Sequence, residues 1–143
     1  MAVRYAYSAD LYRRMTPTLR LQLFDDDRDG TEDAGIADGC LEDAADLVDA
    51  KLGARYTVPL TGTIPGAVRK CTLDLAWYNA HARVHALDDT IVAEYAATIE
   101  ILDQMADGTI SIGVDPRPAE RSGLTATVTS ATKVFGRSNL SGI

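Results

Sequence analysis

Hydrophobic positions recur every three or four residues in three long stretches of the chain, which is the period of an amphipathic α-helix. The predicted helices run over about 33–52, about 65–86, and from 88 or 89 to Gly108. Glycine at Gly53 suits the left-handed position that follows a helix. The predicted apolar stripes are, in chain order, Ile36, Cys40, Ala44, Leu47, Val48 and Leu52; Ile64, Val68, Cys71, Leu75, Tyr78 and Ala82; and Val92, Tyr95, Ile99, Leu102 and Ala106.

The first part of the chain carries shorter signals. Ser8 is predicted to cap a short helix. A new segment begins at Thr16, which can cap a helix, and Pro17, which suits the first helical position. The segment up to Phe24 is then a brief helix or an extended piece. Residues 53–65 contain two prolines and predict an extended strap between two helices.

The pattern changes after Gly108. Ile110, Ile112 and Val114 alternate with other residues, a period of two that is typical of strands. The last part of the chain has few large apolar residues and would be flexible alone or would fold on a partner. The sequence therefore predicts a mainly α protein, a bundle of about four helices with a proline-bearing strap and an extended, partly strand-like C-terminal arm. The helical domain is expected over 1–114 and the arm over 115–143.

Charge and composition narrow the classes of function. The chain has a formal net charge of −7, with +3 on residues 116–143 and hence −10 on residues 1–115. Such an acidic body is a poor nucleic-acid binder. No apolar run is long enough to span a membrane, and the N-terminus lacks the apolar core of a signal peptide. Cys40 and Cys71 lie on apolar stripes and predict buried thiols in a protein made in a reducing cytosol.

The acidic segment that begins at Asp25 invites a calcium interpretation. Asp25, Asp27, Asp29 and Gly30 match positions one, three, five and six of an EF-hand loop. Position twelve requires a bidentate glutamate, and Ile36 stands there. The flanking pair of helices is also not evident from the sequence. A solvated turn that favours the N-terminus of the next helix is the preferred interpretation.

Other arrangements that could support chemistry are incomplete. His81 and His85 are four residues apart in a predicted helix, but a zinc site needs a third ligand and the glutamate of the motif. The preferred interpretation is an ordinary surface or subunit-contact role. No nucleophile elbow and no phosphate-binding loop is present in the sequence, so we expect neither an enzyme nor a cofactor.

A series of short motifs in a fixed order resembles the Mu-like tailed-phage head–tail adaptor family. The motifs are Asp-Arg-Asp-Gly at 27–30, Ala-Arg-Tyr-Thr-Val-Pro-Leu at 54–60, Cys-x-x-Asp-x-Ala at 71–76, Gly-x-Ile-Ser-x-Gly at 108–113 and Val-Phe-x-Arg-x-x-Leu-x-Gly at 134–142. The loop departs from the Asp-Gly-Asp-Gly pattern usual in the family, because Gly-Thr-Glu-Asp stands at 30–33. The resemblance covers nearly the whole chain, and it is the order of the motifs that is specific.

The resemblance implies a structural virion protein. About a dozen copies would form a ring at the neck between the portal protein and the stopper or tail-joining protein, with an axial channel through which DNA passes without sequence-specific binding. The protein would be made in the cytoplasm of the bacterial host and would have no membrane partner. The alternative is a small acidic binding module outside a virion, and a calcium-dependent module is one form of this alternative.

Two sets of residues are candidates for functional surfaces of such a ring, one facing the channel and one docking on a partner. The candidate channel-facing acids, whose negative charge would repel DNA phosphates, are Asp38, Glu42, Asp46 and Asp49. The simpler interpretation of these acids is a water-facing helix surface. The candidate residues of an arm that docks on the portal or a neighbouring subunit are Leu124, Val128, Lys133, Val134, Phe135, Arg137 and Leu140.

Overall fold

The structure is a computed structural model that describes residues 5–119. Within these residues it contains five helices and no strand: α1 (Ser8–Tyr12), α2 (Pro17–Phe24), α3 (Ile36–Leu52), α4 (Gly66–Arg83) and α5 (Asp89–Asp107). The prediction of a mainly α protein is therefore confirmed for this part of the chain. No helix in the described part of the chain is both long and apolar enough to cross a bilayer.

The three long helices form the body, with α4 packed against both α3 and α5. The predicted stripe of α3 is confirmed at Cys40, Ala44, Val48 and Leu52, which are all buried. In α4, the predicted positions Val68, Cys71 and Leu75 are buried as well. The remaining predicted positions on these two helices, Ile36, Leu47, Ile64, Tyr78 and Ala82, are partly buried at the edge of the core.

The predicted stripe of α5 is confirmed at Leu102, and Tyr95 and Ile99 pack partly buried against the core, but the prediction is wrong at Val92. The buried positions are Ile91, Thr98, Leu102 and Met105, whereas Val92 is 47% exposed. The predicted stripe does not include Thr98. Its hydroxyl donates to the Glu94 carbonyl at 2.9 Å, which satisfies the hydroxyl inside the helix and lets the residue face the core.

The helix N-termini partly follow the predicted caps. Thr16 caps α2 and Asp88 caps α5, through bonds from the Leu19 and Ile91 amides at 3.2 and 2.8 Å. Ser8 is not a cap, because it is the first residue of α1 and Tyr7 precedes it. The start of α3 was placed three residues too early, at 33. Asp33 belongs to the preceding loop instead, because its amide donates a hydrogen bond to the Phe24 carbonyl at 2.7 Å.

The C-terminal ends show two corrections. Gly108 is left-handed with φ +86°, as expected for the residue after a helix. Gly53 was expected to be left-handed too, but its φ of −60° and ψ of −18° are right-handed. A Cβ at Gly53 would lie 3.3 Å from Cγ2 of Val58, so the glycine allows the strap to pass close by. Helix α4 ends at Arg83 rather than at 86, and His85 lies beyond it with φ +55°.

The strap between α3 and α4 is anchored by two buried side chains, Tyr56 and Leu60. The Val58–Pro59 peptide bond within it is cis. The Leu60 amide donates to the Tyr5 hydroxyl at 2.8 Å, which ties the strap to the start of the described chain. The strap is thus an integral part of the core.

The strand-like pattern after α5 does not form a strand within the described residues. The Ile110 amide instead donates to the Gln104 carbonyl at 3.0 Å, so the chain turns back over the end of α5. Ile112 is buried, and Ile110 and Val114 pack partly buried against the core. The alternating apolar residues of this segment do reach the core. A strand also needs a neighbouring strand whose backbone it can pair with.

Candidate functional site

The four candidate channel-facing acids do not share one environment. Glu42 and Asp46 are exposed on the outer face of α3, whereas Asp38 and Asp49 are only partly exposed. Asp49 accepts a hydrogen bond from the Tyr5 hydroxyl. One carboxylate oxygen of Asp38 is shielded from solvent and has no hydrogen-bond partner among the described residues. The predicted acidic face is therefore limited to the middle of the helix.

The carboxylate of Asp38 faces a partly buried cluster that joins α1, α2 and the acidic loop. The Arg20 guanidinium lies 4.1 Å from the centre of the Tyr12 ring and pairs with Glu32. Burial, followed by the charge of Glu32, raises the pKa of Tyr12, and the Asp38 charge adds to this effect against the opposing charge of Arg20. The charge of Asp38 therefore acts on a side chain inside the folded body, the Tyr12 phenol.

The acidic loop brings three carboxylates together. Ligand atoms of Asp25, Asp27 and Asp29 all lie within 4.8 Å of one another. The Asp25 carboxylate accepts from the amides of Asp29 and Gly30 at 3.1 and 2.9 Å, which closes the turn. The loop lies between α2 and α3, so helices do flank it, contrary to the sequence-based expectation. The residue at position twelve, Ile36, has no oxygen in its side chain to offer a cation.

Two pKa shifts follow from the hydrogen bonds and charges of this loop. The hydroxyl and amide of Thr31 both donate to Asp29 and lower the pKa of its carboxyl. At Asp27, the bond from the Asp29 amide acts to lower the pKa, but desolvation and the charges of Asp29 and Asp33 outweigh it, so the pKa is raised. Asp29 is therefore held as a carboxylate by its own turn.

The two histidines are separated by the end of α4. His81 is buried, and its Nδ1–H donates to the Trp77 carbonyl at 2.8 Å, with the two rings 4.7 Å apart. The predicted surface or subunit-contact role is therefore wrong for His81. His85 is exposed and lies outside the helix, so the two rings do not share a helical face.

The chain that leads to the predicted arm leaves the body beside the strap. The Arg117 amide donates to the Arg55 carbonyl at 2.8 Å. Pro116, Arg117, Pro118 and Ala119 line a shallow cavity of about 320 Å³ together with Ala54 and Arg55. The candidate docking residues Leu124, Val128, Lys133, Val134, Phe135, Arg137 and Leu140 lie outside the described residues.

A groove between α4 and α5 was not anticipated from the sequence. It encloses about 370 Å³, and its lining combines the apolar side chains of Trp77 and Ile101 with two cations and two carboxylates, Arg14, Lys70, Asp74 and Glu94. Both cations contact the Asp74 carboxylate, Arg14 at 2.6 Å and Lys70 at 2.5 Å. Ile101 is 38% exposed. It is a large apolar residue outside the predicted stripe of α5, and this position is the sequence signal that could have pointed to the groove.

Comparison with known proteins assigns the chain to a family. The profile of the family described as Bacteriophage Mu, Gp36 matches residues 5–130. The chain is 32% identical over 119 residues to "Gene product J" of Escherichia phage Mu, covering 82% of each protein. It is 33% identical over 103 residues to "Mu-like prophage FluMu protein gp36" of Haemophilus influenzae (strain ATCC 51907 / DSM 11121 / KW20 / Rd), covering 71% of each protein. The chain therefore belongs to the bacteriophage Mu Gp36 family.

Proposed function

We propose that this chain is a head–tail adaptor of a Mu-like tailed phage. Copies of it assemble into a ring at the virion neck, between the portal protein and the stopper or tail-joining protein, and leave an axial channel for DNA. The role is structural and requires neither catalysis nor a cofactor. The observation that carries the proposal is membership of a phage family, matched over residues 5–130 and thus including the whole helical body.

The architecture of the body supports this role. A ring subunit needs a rigid body that keeps its shape under load, and here one core joins α3, α4, α5 and the strap. It also needs a separate element that can reach a partner. The described chain leaves the body at Ala119, beside Arg55 and away from the core.

The remaining residues are long enough to bridge to another protein. From Ala119, the 24 residues of 120–143 could span roughly 80 Å at about 3.3 Å per residue. We propose that Val134, Phe135 and Leu140 anchor this arm in apolar pockets of the portal or a neighbouring copy. Lys133 and Arg137 then meet acidic groups at the rim of those pockets.

Deletion of residues 120–143 tests the arm. This boundary keeps Arg117, whose amide bonds to the strap, so the body should retain its circular dichroism and thermal unfolding. Co-purification with the portal protein from the same phage genome should be lost. Undiminished binding to the portal by the truncated chain would remove the docking role.

A narrower pair of variants gives the matched control. Val134→Ser with Phe135→Ser should weaken portal binding by tenfold or more, since buried aromatic anchors are typical hot spots. Ser138→Ala with Asn139→Ala changes the same part of the arm without removing an apolar anchor and should leave binding unchanged. Equal effects of the two pairs would contradict the assignment of the anchors.

The acids of α3 have two possible places in such a ring. In the first, Glu42 and Asp46 face the channel, where charge within about 8 Å of a phosphate acts on it at physiological salt. Reversing both charges should then slow genome ejection while rings form normally. In the second, the outer face of α3 contacts the next copy, and the same reversal should disrupt the ring itself.

A further inference from the structure

We propose that residues 121–128 of the C-terminal arm dock on their own subunit, along the seam between α3 and α5. The seam is the partly exposed apolar strip formed by Leu47 of α3 with Val92 and Ile99 of α5. The inference goes beyond the proposed ring and does not depend on it. It divides the arm into a proximal segment that binds the body and a distal segment that remains for a partner.

Helices α3 and α5 end side by side, and this fixes one end of the seam. Near these ends, the Lys51 ammonium pairs with the Asp103 carboxylate at 2.7 Å. A Cβ at Gly108 would lie 2.5 Å from Cζ of Arg55, so the guanidinium lies directly against the residue that follows α5. The C-terminal ends of the two helices are therefore neighbours.

The apolar residues of the seam follow from this pairing. Leu47 lies four residues before Lys51, and is therefore one turn further back on the same face of α3. Ile99 has the same relation to Asp103 on α5. Both apolar side chains are partly buried and pack against the core. Val92 lies two turns before Ile99 on the same face and is 47% exposed, so the strip continues toward the N-terminus of α5.

The arm begins at the same end of the body. The Arg117 amide donates to the Arg55 carbonyl at 2.8 Å. Ala119 lines the shallow cavity beside Ala54 and Arg55. Ala54 follows the end of α3 by two residues. The arm therefore starts where the ends of α3 and α5 meet.

The spacing of apolar residues in the arm matches the spacing along the seam. At about 3.3 Å per residue, Leu124 and Val128 lie roughly 16 and 30 Å from the end of the described chain. At about 1.5 Å per residue, Ile99 and Val92 lie roughly 14 and 24 Å from Gly108 along α5. Leu124 therefore reaches the seam at Ile99. Val128 reaches it at Val92, and the threonines between these two anchors face solvent, as alternate residues of an extended segment do.

The surface beside the seam is acidic. Helix α5 carries five acidic residues and neither Lys nor Arg. Glu100 on α5 and Asp43 on α3 are exposed and have no ion-pair partner among residues 5–119. Lys51, the cation at the end of the seam, is already paired with Asp103. The seam therefore favours a segment that brings positive charge with its apolar side chains.

The arm has this composition. Residues 120–143 carry Arg121, Lys133 and Arg137 against Glu120 alone, which gives +2 and leaves −9 on residues 1–119. Arg121 lies roughly 7 Å into the arm, level with the last turns of α5, and its long side chain reaches Glu100. Opposite charges across a contact guide its formation and fix its register.

Docking of the proximal segment leaves the distal segment for a partner. Residues 129–143 could still span roughly 50 Å at about 3.3 Å per residue. Val134 and Phe135 lie in this distal segment. The docked part would then set the place on the body from which the distal segment departs.

Disulfide formation in the full chain is the first test. Val92→Cys with Val128→Cys should form an intramolecular disulfide, because the bond requires the two Cα atoms to approach within about 7 Å. Ile101→Cys with Val128→Cys is the matched control, since Ile101 is an exposed apolar residue roughly 180° around α5 from Val92. The first pair should close at least tenfold faster, measured by mass spectrometry of peptides from the oxidised protein.

The native thiols do not obscure this test. Cys40 and Cys71 are buried and can stay in the chain, and peptide masses distinguish their products from the designed bond. Equal rates for the two pairs would overturn the docking. A disulfide between two copies, rather than within one, would reject the subunit's own seam as the site.

Tryptic cleavage after Arg121 is the second test. The contact is small and lies on the surface, so it is measured locally rather than by thermal unfolding. Leu124→Ser with Val128→Ser should raise the rate of this cleavage by tenfold or more, because loss of both apolar side chains releases the segment. Cleavage after Arg137, in the distal segment, should keep its rate and is the internal reference.

The opposite face of the docked segment provides the matched control. Thr125→Ser with Thr127→Ser changes side chains that point away from the seam and should leave cleavage after Arg121 unchanged. An unchanged rate in the variant that loses Leu124 and Val128, or the same increase in both variants, would overturn the docking.

Neither test involves the portal protein, so the outcomes separate this inference from the adaptor function. If the arm docks on the seam and the wild-type chain forms no ring with the portal, the adaptor function alone fails. If rings form and residues 121–128 are neither cross-linked nor shielded, the docking alone is rejected.

Discussion

The Tyr5 hydroxyl donates a hydrogen bond to the Asp49 carboxylate on α3 and accepts one from the Leu60 amide in the strap. One phenol therefore joins the start of the described chain, helix α3 and the strap. Tyr5 itself is only 2% exposed, so its hydroxyl makes these bonds in a nearly dry environment. Asp49, one of the candidate channel-facing acids, is therefore also a hydrogen-bond partner within the body.

Removing this hydroxyl should destabilise the fold. Tyr5→Phe leaves the buried Leu60 amide without its acceptor and should lower the free energy of unfolding by about 1–3 kcal/mol. Urea denaturation followed by circular dichroism measures the change. Tyr7→Phe removes a hydroxyl from a side chain that is 55% exposed and should change the free energy by less than about 0.5 kcal/mol. Equal losses in the two variants would contradict the role assigned to the Tyr5 hydroxyl.

The N-cap of α5 offers a local test of the fold. Asp88 accepts from the Ile91 amide at 2.8 Å, so Asp88→Ala should lower the free energy of unfolding by about 1 kcal/mol. Asp88→Ser keeps an oxygen in capping position and should retain most of the stability. Thermal unfolding of the three proteins measures both effects, and identical midpoints would show that the cap contributes nothing.

Buried thiols should make the fold sensitive to alkaline pH. Burial, with a further effect of the Asp74 charge, raises the pKa of Cys71 from 9.0 to about 11. Between these values the unfolded chain has released the proton and the folded chain still holds it, so the free energy of unfolding should fall as the pH rises through this range. Denaturation at several pH values measures the slope.

The Cys71→Ala variant is the control for this slope. It removes the thiol and should show a smaller decline over the same pH range, whatever its stability at neutral pH. Cys40 and Tyr12 also have raised pKa values, both chiefly through burial, so part of the decline should remain. An unchanged slope in the variant would contradict the ionisation of Cys71 as a cause.

The acidic loop should not bind calcium tightly. Asp25, Asp27 and Asp29 are close together, but Ile36 provides none of the oxygen ligands that an EF-hand takes from position twelve. Calorimetric titration with micromolar calcium should give no binding heat, and Ile36→Glu should introduce measurable binding by completing the ligand set. Heat from the wild-type chain at micromolar calcium would favour the alternative of a calcium-dependent binding module.

The helical architecture could be predicted largely from local sequence. The periodic burial of Cys40, Ala44 and Val48 follows from spacing alone, because residues three and four apart share one face of a helix. The cap at Asp88 and the left-handed Gly108 were equally local, since each depends on bonds within one turn. These features needed no knowledge of what lies opposite each helix.

The pattern missed two polar residues that are buried, each with a hydrogen bond to a carbonyl one turn back in its own helix. Thr98 faces the core of the body, and His81 is buried with its Nδ1–H on a carbonyl of its own helix. A polar residue looks outward in a pattern analysis, because the pattern cannot show a hydrogen bond that offsets its burial. The same limit led the sequence to group Asp49 with Glu42, although only the second is exposed.

For this protein, the amino-acid sequence by itself determined the helices, most of their buried faces and the resemblance to a phage family, since each depends on residues near one another in the chain. Tertiary structure alone decided which acids remain on the surface and where the chain leaves the body. It also formed the groove, because Arg14, Asp74 and Ile101 are brought together across long stretches of chain. Contacts of that kind depend on how helices pack, and packing is settled by the whole core at once.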